Sequence, residues 1–177
     1  MVDQFMAPMQ SEFKMSMVGE MTYFLRPQVK QKHDGIFIQQ SKYAINLIKK
    51  FDLEKARHKR TLAATNVKII TDEAGTTVDR TLYTSMIGSL LYLTTSKPDI
   101  SYAIGVCARY QANSKESHLL NVKRIIKYIC ATVDYDHCLC CRIMYTTDTS
   151  SCLVGYCDAD WAGNVEDRKS TSGGASF

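Results

Sequence analysis

The sequence predicts an α+β fold in which short strands at each end bracket a helical middle, and three patterns carry that expectation. Short β-rich runs sit near both ends: TYFL, QVKQ and IFIQ early, CLCCRIMY and CLVGYCDAD late. From about residue 80 to 131, apolar residues recur at the three- and four-residue spacing of amphipathic helices. An Asp34-Gly35 pair between two of the early runs supplies hairpin turn chemistry.

The elements follow in order. Val2, Phe5, Met6, Met9 and Phe13 share one side of a first helix, although Pro8 stands inside it, where a missing N–H and a ring clash cost about 3 kcal/mol. The hairpin about Asp34-Gly35 comes next. Ser41 then offers an N-cap to the helix KYAINLIKKF, whose Tyr43, Ile45, Leu47, Ile48 and Phe51 fall largely on one side. Residues 54–80 are polar, hold Gly75 and show no period, so they read as a long connection. Helices are expected over 80–95, 98–112 and 115–131, the second opened by Pro98 in its first turn and the third by Ser114, Glu116 and Ser117. CLCCRIMY and CLVGYCDAD, separated by Thr, Ser and Asp residues at 146–151, read as a hairpin, and SGGASF as the start of another strand.

Composition narrows the function classes. The 177 residues suffice for one ordinary domain or two small ones, and 45% hydrophobic with 23% charged residues is a folding composition. Twenty-two basic residues against 18 acidic give a net charge of +4, which fits a nucleic-acid partner without demanding one. No run reaches the roughly 18 to 20 apolar residues of a membrane span, so no membrane partner is expected. The opening MVDQFMAPMQSEF lacks a basic stretch followed by an apolar one, so no targeting signal is read and an intracellular site, cytoplasmic or nuclear, is expected. The seven cysteines are an odd number, mostly in apolar surroundings, and read as buried thiols; His137 with Cys138, Cys140 and Cys141 lacks the paired, well-separated spacing of a zinc site.

On the helix at 115–131, Leu119, Val122, Ile125, Ile126 and Ile129 form an apolar arc, and Lys123, Arg124 and Lys127 cluster opposite it. Four basic residues against Glu116 in that segment could track phosphates, as against the plainer reading of a solvated helix face. Lys30, Lys32, Lys49 and Lys50 form a weaker second group. The DRKSTSG phrase with Gly173-Gly174 has the wrong residue order for a phosphate loop, and His33, His58, His118 and His137 are too dispersed to assemble a nucleophilic site.

Four phrases in order resemble the reverse transcriptase and ribonuclease H region of copia-type retrotransposon polyproteins: EFKMSMVGEMTYFL with QVKQKHDGIFIQQSKYAINLIKKF at 12–51, LYTSMIGSLLYLTTSKPDISYAIGVCARY at 82–110, ESHLLNVKRIIKYICAT at 116–132 and LVGYCDADWAGNVEDRKSTSGGASF at 153–177. The resemblance implies a palm-end helix and β-hairpin at 1–40, a helical thumb and connection at 41–135, and an incomplete ribonuclease H-like β-sheet from 136 to 177. It also implies RNA or DNA template-primer and the remainder of the polyprotein as partners, and Mg2+ as the parent family's cofactor. Nucleotide addition needs two cations held by an Asp-Asp pair and a third aspartate; in the family these lie upstream, and the chain contains no Asp-Asp dipeptide. By resemblance Asp158 matches the first metal-binding carboxylate of ribonuclease H, with Asp160 its competitor, and the family's other carboxylates fall beyond Phe177. One carboxylate cannot hold a divalent pair. The expectation is therefore a chain inactive by itself and without a cofactor of its own, in which Asp158 and Asp160 read most simply as solvated acids at a strand end; the alternatives are a non-catalytic nucleic-acid-binding module and a complementing subunit whose missing carboxylates come from another chain.

Three departures from the resembled family fall at turns and caps. Arg26-Pro27 follows TYFL where glycine is usual, Leu62-Ala63 replaces Thr-Pro, and Cys130-Ala131 replaces Lys-Gly, which removes a natural helix stop. Such changes are what a copy drifting without selection would accumulate.

Overall fold

The computed structural model describes residues 2–14, 19–63, 69–133, 142–146 and 155–176, and within them the architecture is mixed helix and sheet. Its centre is α5 (Glu116–Val133), packed against α2 (Ser41–Lys50), α3 (Arg80–Leu93) and α4 (Ser101–Ala108). The apolar arc read from the sequence faces inward: Leu119, Val122, Ile125, Ile126 and Ile129 are all buried. They meet Leu47 and Ile48 of α2, Tyr83, Ile87 and Leu90 of α3, and Ile104 and Cys107 of α4 in one core. Each such side chain contributes about 1.5–3 kcal/mol of burial free energy. The Tyr83 hydroxyl donates to the Cys107 carbonyl at 2.8 Å, so the largest core side chain brings its polar end to a partner. Burial pushes the Cys107 thiol up to about 12, which keeps it protonated and makes it an apolar filler.

Helix boundaries moved where caps decided them. Ser41 is the first residue of α2, not its cap; Gln40 precedes the helix and uses its buried side chain elsewhere, donating to Tyr92 O and accepting from Ser96 Oγ at 2.7 Å. Asp79 caps α3 by accepting from Thr81 N–H at 2.8 Å. The segment expected as one helix over 98–112 is a 3-10 turn, Pro98–Ile100, followed by α4. Helix α5 runs through Cys130 and Ala131 to Val133, as the missing stop predicts.

Strands β1 (Gln28–Lys32) and β2 (Gly35–Gln39) form the expected hairpin, with His33 and Asp34 as its two loop residues and Gly35 opening the second strand. Strand β3 (Arg142–Thr146) does not form a hairpin with the following strand, as the sequence suggested. It pairs antiparallel with β2, setting Ile36 opposite Tyr145, to give the order β1-β2-β3. Strand β4 (Gly155–Ala159) instead pairs with β5 (Ser172–Ser176) in a separate two-stranded sheet. Local alternation marks a strand but carries no information about its partner. His137, Cys138, Cys140 and Cys141 lie outside the described residues; of the described cysteines, Cys107 is buried, Cys130 half-buried and Cys157 exposed, so Cys157 departs from the buried reading.

The connection expected to be least structured is held at many points, although its described residues, 54–63 and 69–80, form no helix or strand before α3. Tyr110 donates to Ile69 O at 2.9 Å, Ser117 to Asp72 Oδ2 at 2.8 Å, and Glu116 N–H to Thr76 O at 3.0 Å. His118, buried and stacked on Tyr110, accepts Lys115 N–H at Nδ1 (3.1 Å) and lies 2.9 Å from Ile70 O through Nε2. A neutral ring protonated at Nε2 satisfies both contacts. Lys97, 2% exposed, donates to Thr132 Oγ1 at 2.9 Å in the last turn of α5, where the carbonyl end of the helix favours a cation.

Helix α1 (Val2–Glu12) keeps Pro8 in its interior, and Phe5 stays exposed, as does Phe13 just beyond its end. After it, Leu25 and Arg26 form a tight turn with φ of 49° and 83°, Phe24 N–H donating to Pro27 O at 3.0 Å and Tyr92 donating to Leu25 O at 2.7 Å. A side chain in the left-handed region costs about 1–2 kcal/mol, and Arg26 stands where the resembled family has glycine. Arg26→Gly is therefore expected to stabilise the chain by about 1 kcal/mol, read as a higher urea midpoint with an unchanged slope. An equal or lower midpoint would show that the turn is not strained.

Candidate nucleic-acid interface and the acidic hairpin

Helix α5 presents the three candidate basic residues on the side away from its buried arc, and all three are half-buried. Arg124 is already engaged: its Nε donates to Thr61 O at 3.2 Å and its Nη2 to Thr61 Oγ1 at 2.7 Å. Lys127 contributes its carbonyl to Lys59 N–H at 3.3 Å. A loop thus runs beside the helix, and Arg124 is a positioning group while Lys123 and Lys127 keep their ammonium groups for other contacts. The second group does not assemble as one patch. Lys30 and Lys32 share a groove with Lys42, whereas Lys50 donates to Ser85 Oγ at 3.0 Å and Lys49 lies 4.0 Å from Glu54.

Asp158 sits in β4 opposite Gly173; its side chain lies outside the described part of the structure. Asp160, one residue past the strand, is not a free acid. Its Oδ2 accepts from the Tyr102 hydroxyl at 3.1 Å and its Oδ1 accepts from Thr171 N–H, while its own N–H donates to Thr171 O at 3.0 Å. Gly163 allows this, because a Cβ there would fall 1.7 Å from the Asp160 carboxylate. Among the described residues, no three His, Cys, Asp or Glu side chains converge as a metal site.

The carboxylate of Asp160 belongs to a larger docking arrangement that sequence reasoning missed. Strand β5 lies on α4 so closely that a Cβ on Gly173 would be 2.8 Å from Tyr102 N, which accounts for glycine there without any phosphate loop. Arg109 of the α4 end, 19% exposed in its side chain, donates to Lys169 O and Thr171 Oγ1 at 3.1 Å each and to Asp167 Oδ1 at 2.8 Å. Glu166 accepts from both the backbone and the hydroxyl of Thr71, tying the hairpin loop to the long connection as well. Trp161 and Val165 on the same loop remain exposed, Trp161 to 95%. No motif could have announced Arg109, since its partners lie some sixty residues away.

Compared with known proteins, the chain is 30% identical over 154 residues to the retrovirus-related Pol polyprotein from transposon RE2 of Arabidopsis thaliana, which covers 87% of this chain and 10% of that protein. The corresponding polyprotein from transposon TNT 1-94 of Nicotiana tabacum is 32% identical over 145 residues, 78% of this chain and 10% of its own length. Both are retrovirus-related Pol polyproteins from transposons, matched over most of the chain. The chain spans about a tenth of their length. An uncharacterised mitochondrial protein of Arabidopsis thaliana is also similar, 29% identical over 94% of this chain and 67% of its own. No protein-family model matches the chain, and no solved structure does. Among the described residues, no helix is long and apolar enough to cross a membrane.

Hydrogen bonds from the Lys169 ammonium and backbone N–H, helped by the nearby Arg109 guanidinium, lower the Asp167 carboxyl to about 2. A carboxylate lowered on folding stabilises above its ordinary value near 3.8 and loses that contribution as pH falls towards 2. Asp167→Asn is thus expected to lower the urea midpoint at neutral pH, modestly because the group is exposed, and by the same measure to flatten its fall between those pH values. An acid limb as steep as in the unchanged chain would remove Asp167 from the docking contacts.

Proposed function

We propose that this chain is a segment of a retrotransposon Pol polyprotein, running from the end of a reverse transcriptase region into the start of ribonuclease H, and that it turns over no nucleic acid by itself. Its similarity to transposon Pol polyproteins supports the first half of that reading, and so do the four phrases in their order. On this reading 1–40 belong to the palm, 41–135 to the thumb and connection, and 136–177 to the ribonuclease H region. The Arg26 turn, strained where glycine would be at ease, fits a copy whose turn positions are no longer maintained.

The occupied state of Asp160 carries the second half. Two-cation chemistry needs several oxygens converging from separate elements, and both oxygens of Asp160 already accept hydrogen bonds from α4 and β5 neighbours. Asp158 is then the single acid of the family pattern left to receive Mg2+. No step of either reaction is built on such a set.

A second reading, from a different class, is a module that holds template-primer without processing it. The outward position of Lys123 and Lys127 on a rigidly packed helix favours it. The deciding measurement uses the purified chain with primer-template and with RNA–DNA hybrid, each with Mg2+. No extension and no cleavage are expected. Turnover that disappears in Asp158→Ala would overturn the claim of inactivity.

A further inference from the structure

We propose that the loop at 55–60 and the outward side of α5 form one phosphate-binding ridge whose ligand is a nucleic-acid backbone, an extension that rests on the second reading above. The loop reads KARHKR, four cations in six residues with no carboxylate. Its placement makes this more than a charge run. Leu53 is buried and Ala56 and Leu62 pack partly on the core, which fixes both ends of the loop. Between them Lys59 N–H donates to Lys127 O, Arg124 grips Thr61, and His58 Nε2 lies 3.8 Å from Cys130 Sγ. Loop residues 58–61 therefore run antiparallel to α5 from 130 back to 124, alongside about 9 Å of its axis.

That geometry places Lys59 and Arg60 along the stretch of α5 between Arg124 and Lys127, with Arg57 next in line past the contact of His58 with Cys130. Arg57 and Arg60 are exposed, the three lysines half-buried. The ion pairs among the described residues are Lys49–Glu54, Arg109–Asp167 and Lys169–Asp167, and none draws on these five cations. Positive charge gathered this closely repels itself unless anions accompany it. Lys123 and Lys127 stand one helical turn apart, about 6 Å, and a duplex strand offers a phosphate about every 3.4 Å of rise, so a strand laid along the ridge meets it in any register. The ridge offers charge extended along a helix, which suits backbone contact without sequence readout.

The test is fluorescence anisotropy of the full chain with a labelled random DNA duplex of about 20 base pairs, from roughly 50 to 200 mM salt. Two variants are compared: Arg57→Gln with Lys59→Gln and Arg60→Gln, and Lys123→Gln with Lys127→Gln, each checked for an unchanged circular dichroism melt. The loop variant is expected to reduce the slope of log affinity against log salt by about three contacts and the α5 variant by about two. A normal slope in the loop variant with a reduced one in the α5 variant would overturn the ridge and leave the helix reading standing. No binding by the unchanged chain at the lowest salt would remove both. Displacement of the duplex by polyglutamate at equal charge would assign the ridge to acidic polypeptides instead and overturn nucleic acid as its ligand.

Discussion

Burial of one face of α5 is the constraint on which the rest of the molecule depends. The five residues of its apolar arc, Leu119, Val122, Ile125, Ile126 and Ile129, are all buried, and three other helices close over them. Most helical stability in a folded chain comes from packing of an amphipathic face, so that packing and not the helix's own propensity holds α5. Once α5 is fixed, its ends and its outer side become platforms. The first turn receives the long connection through Thr76, Asp72 and the His118 ring; the last turn receives Lys97; the outer side receives the loop at Thr61.

The docked C-terminal hairpin follows from the same packing. Helix α4 is held by α3 and α5, and its exposed flank then offers Tyr102, Gly105 and Arg109 to β5 and the loop before it. Backbone contact is close because glycine stands on both sides, Gly105 in the helix and Gly173 in the strand. Three of the hairpin's acids are engaged in or beside that contact: Asp160 with Tyr102 and Thr171, Asp167 with Arg109 and Lys169, Glu166 with Thr71. Each of these acids thus serves first as an acceptor that ties the hairpin to its neighbours.

On α5, structure and candidate function occupy opposite sides. Residues that fill the core are set by shape, whereas Lys123 and Lys127 are set only by the need for polar groups outside it. The charge of the 55–60 loop adds to theirs because Arg124 spends its guanidinium on Thr61 and not on solvent.

The amphipathic period of 80–131, the hairpin at 33–35 and the overrun of α5 past Cys130 were legible in the sequence, since each follows from side chains a few residues apart. The sequence by itself also determined where charge gathers and which acids could matter. Tertiary structure alone decided that β3 joins β2, that Ser41 yields its cap position to Gln40, that the connection is pinned at Lys59, Thr61, Ile69, Asp72 and Thr76, and that Asp160 is spent on Tyr102 and Thr171. The reason is common to all four. Strand partners and the far ends of hydrogen bonds lie tens of residues away, and no local period or propensity encodes which distant group will arrive.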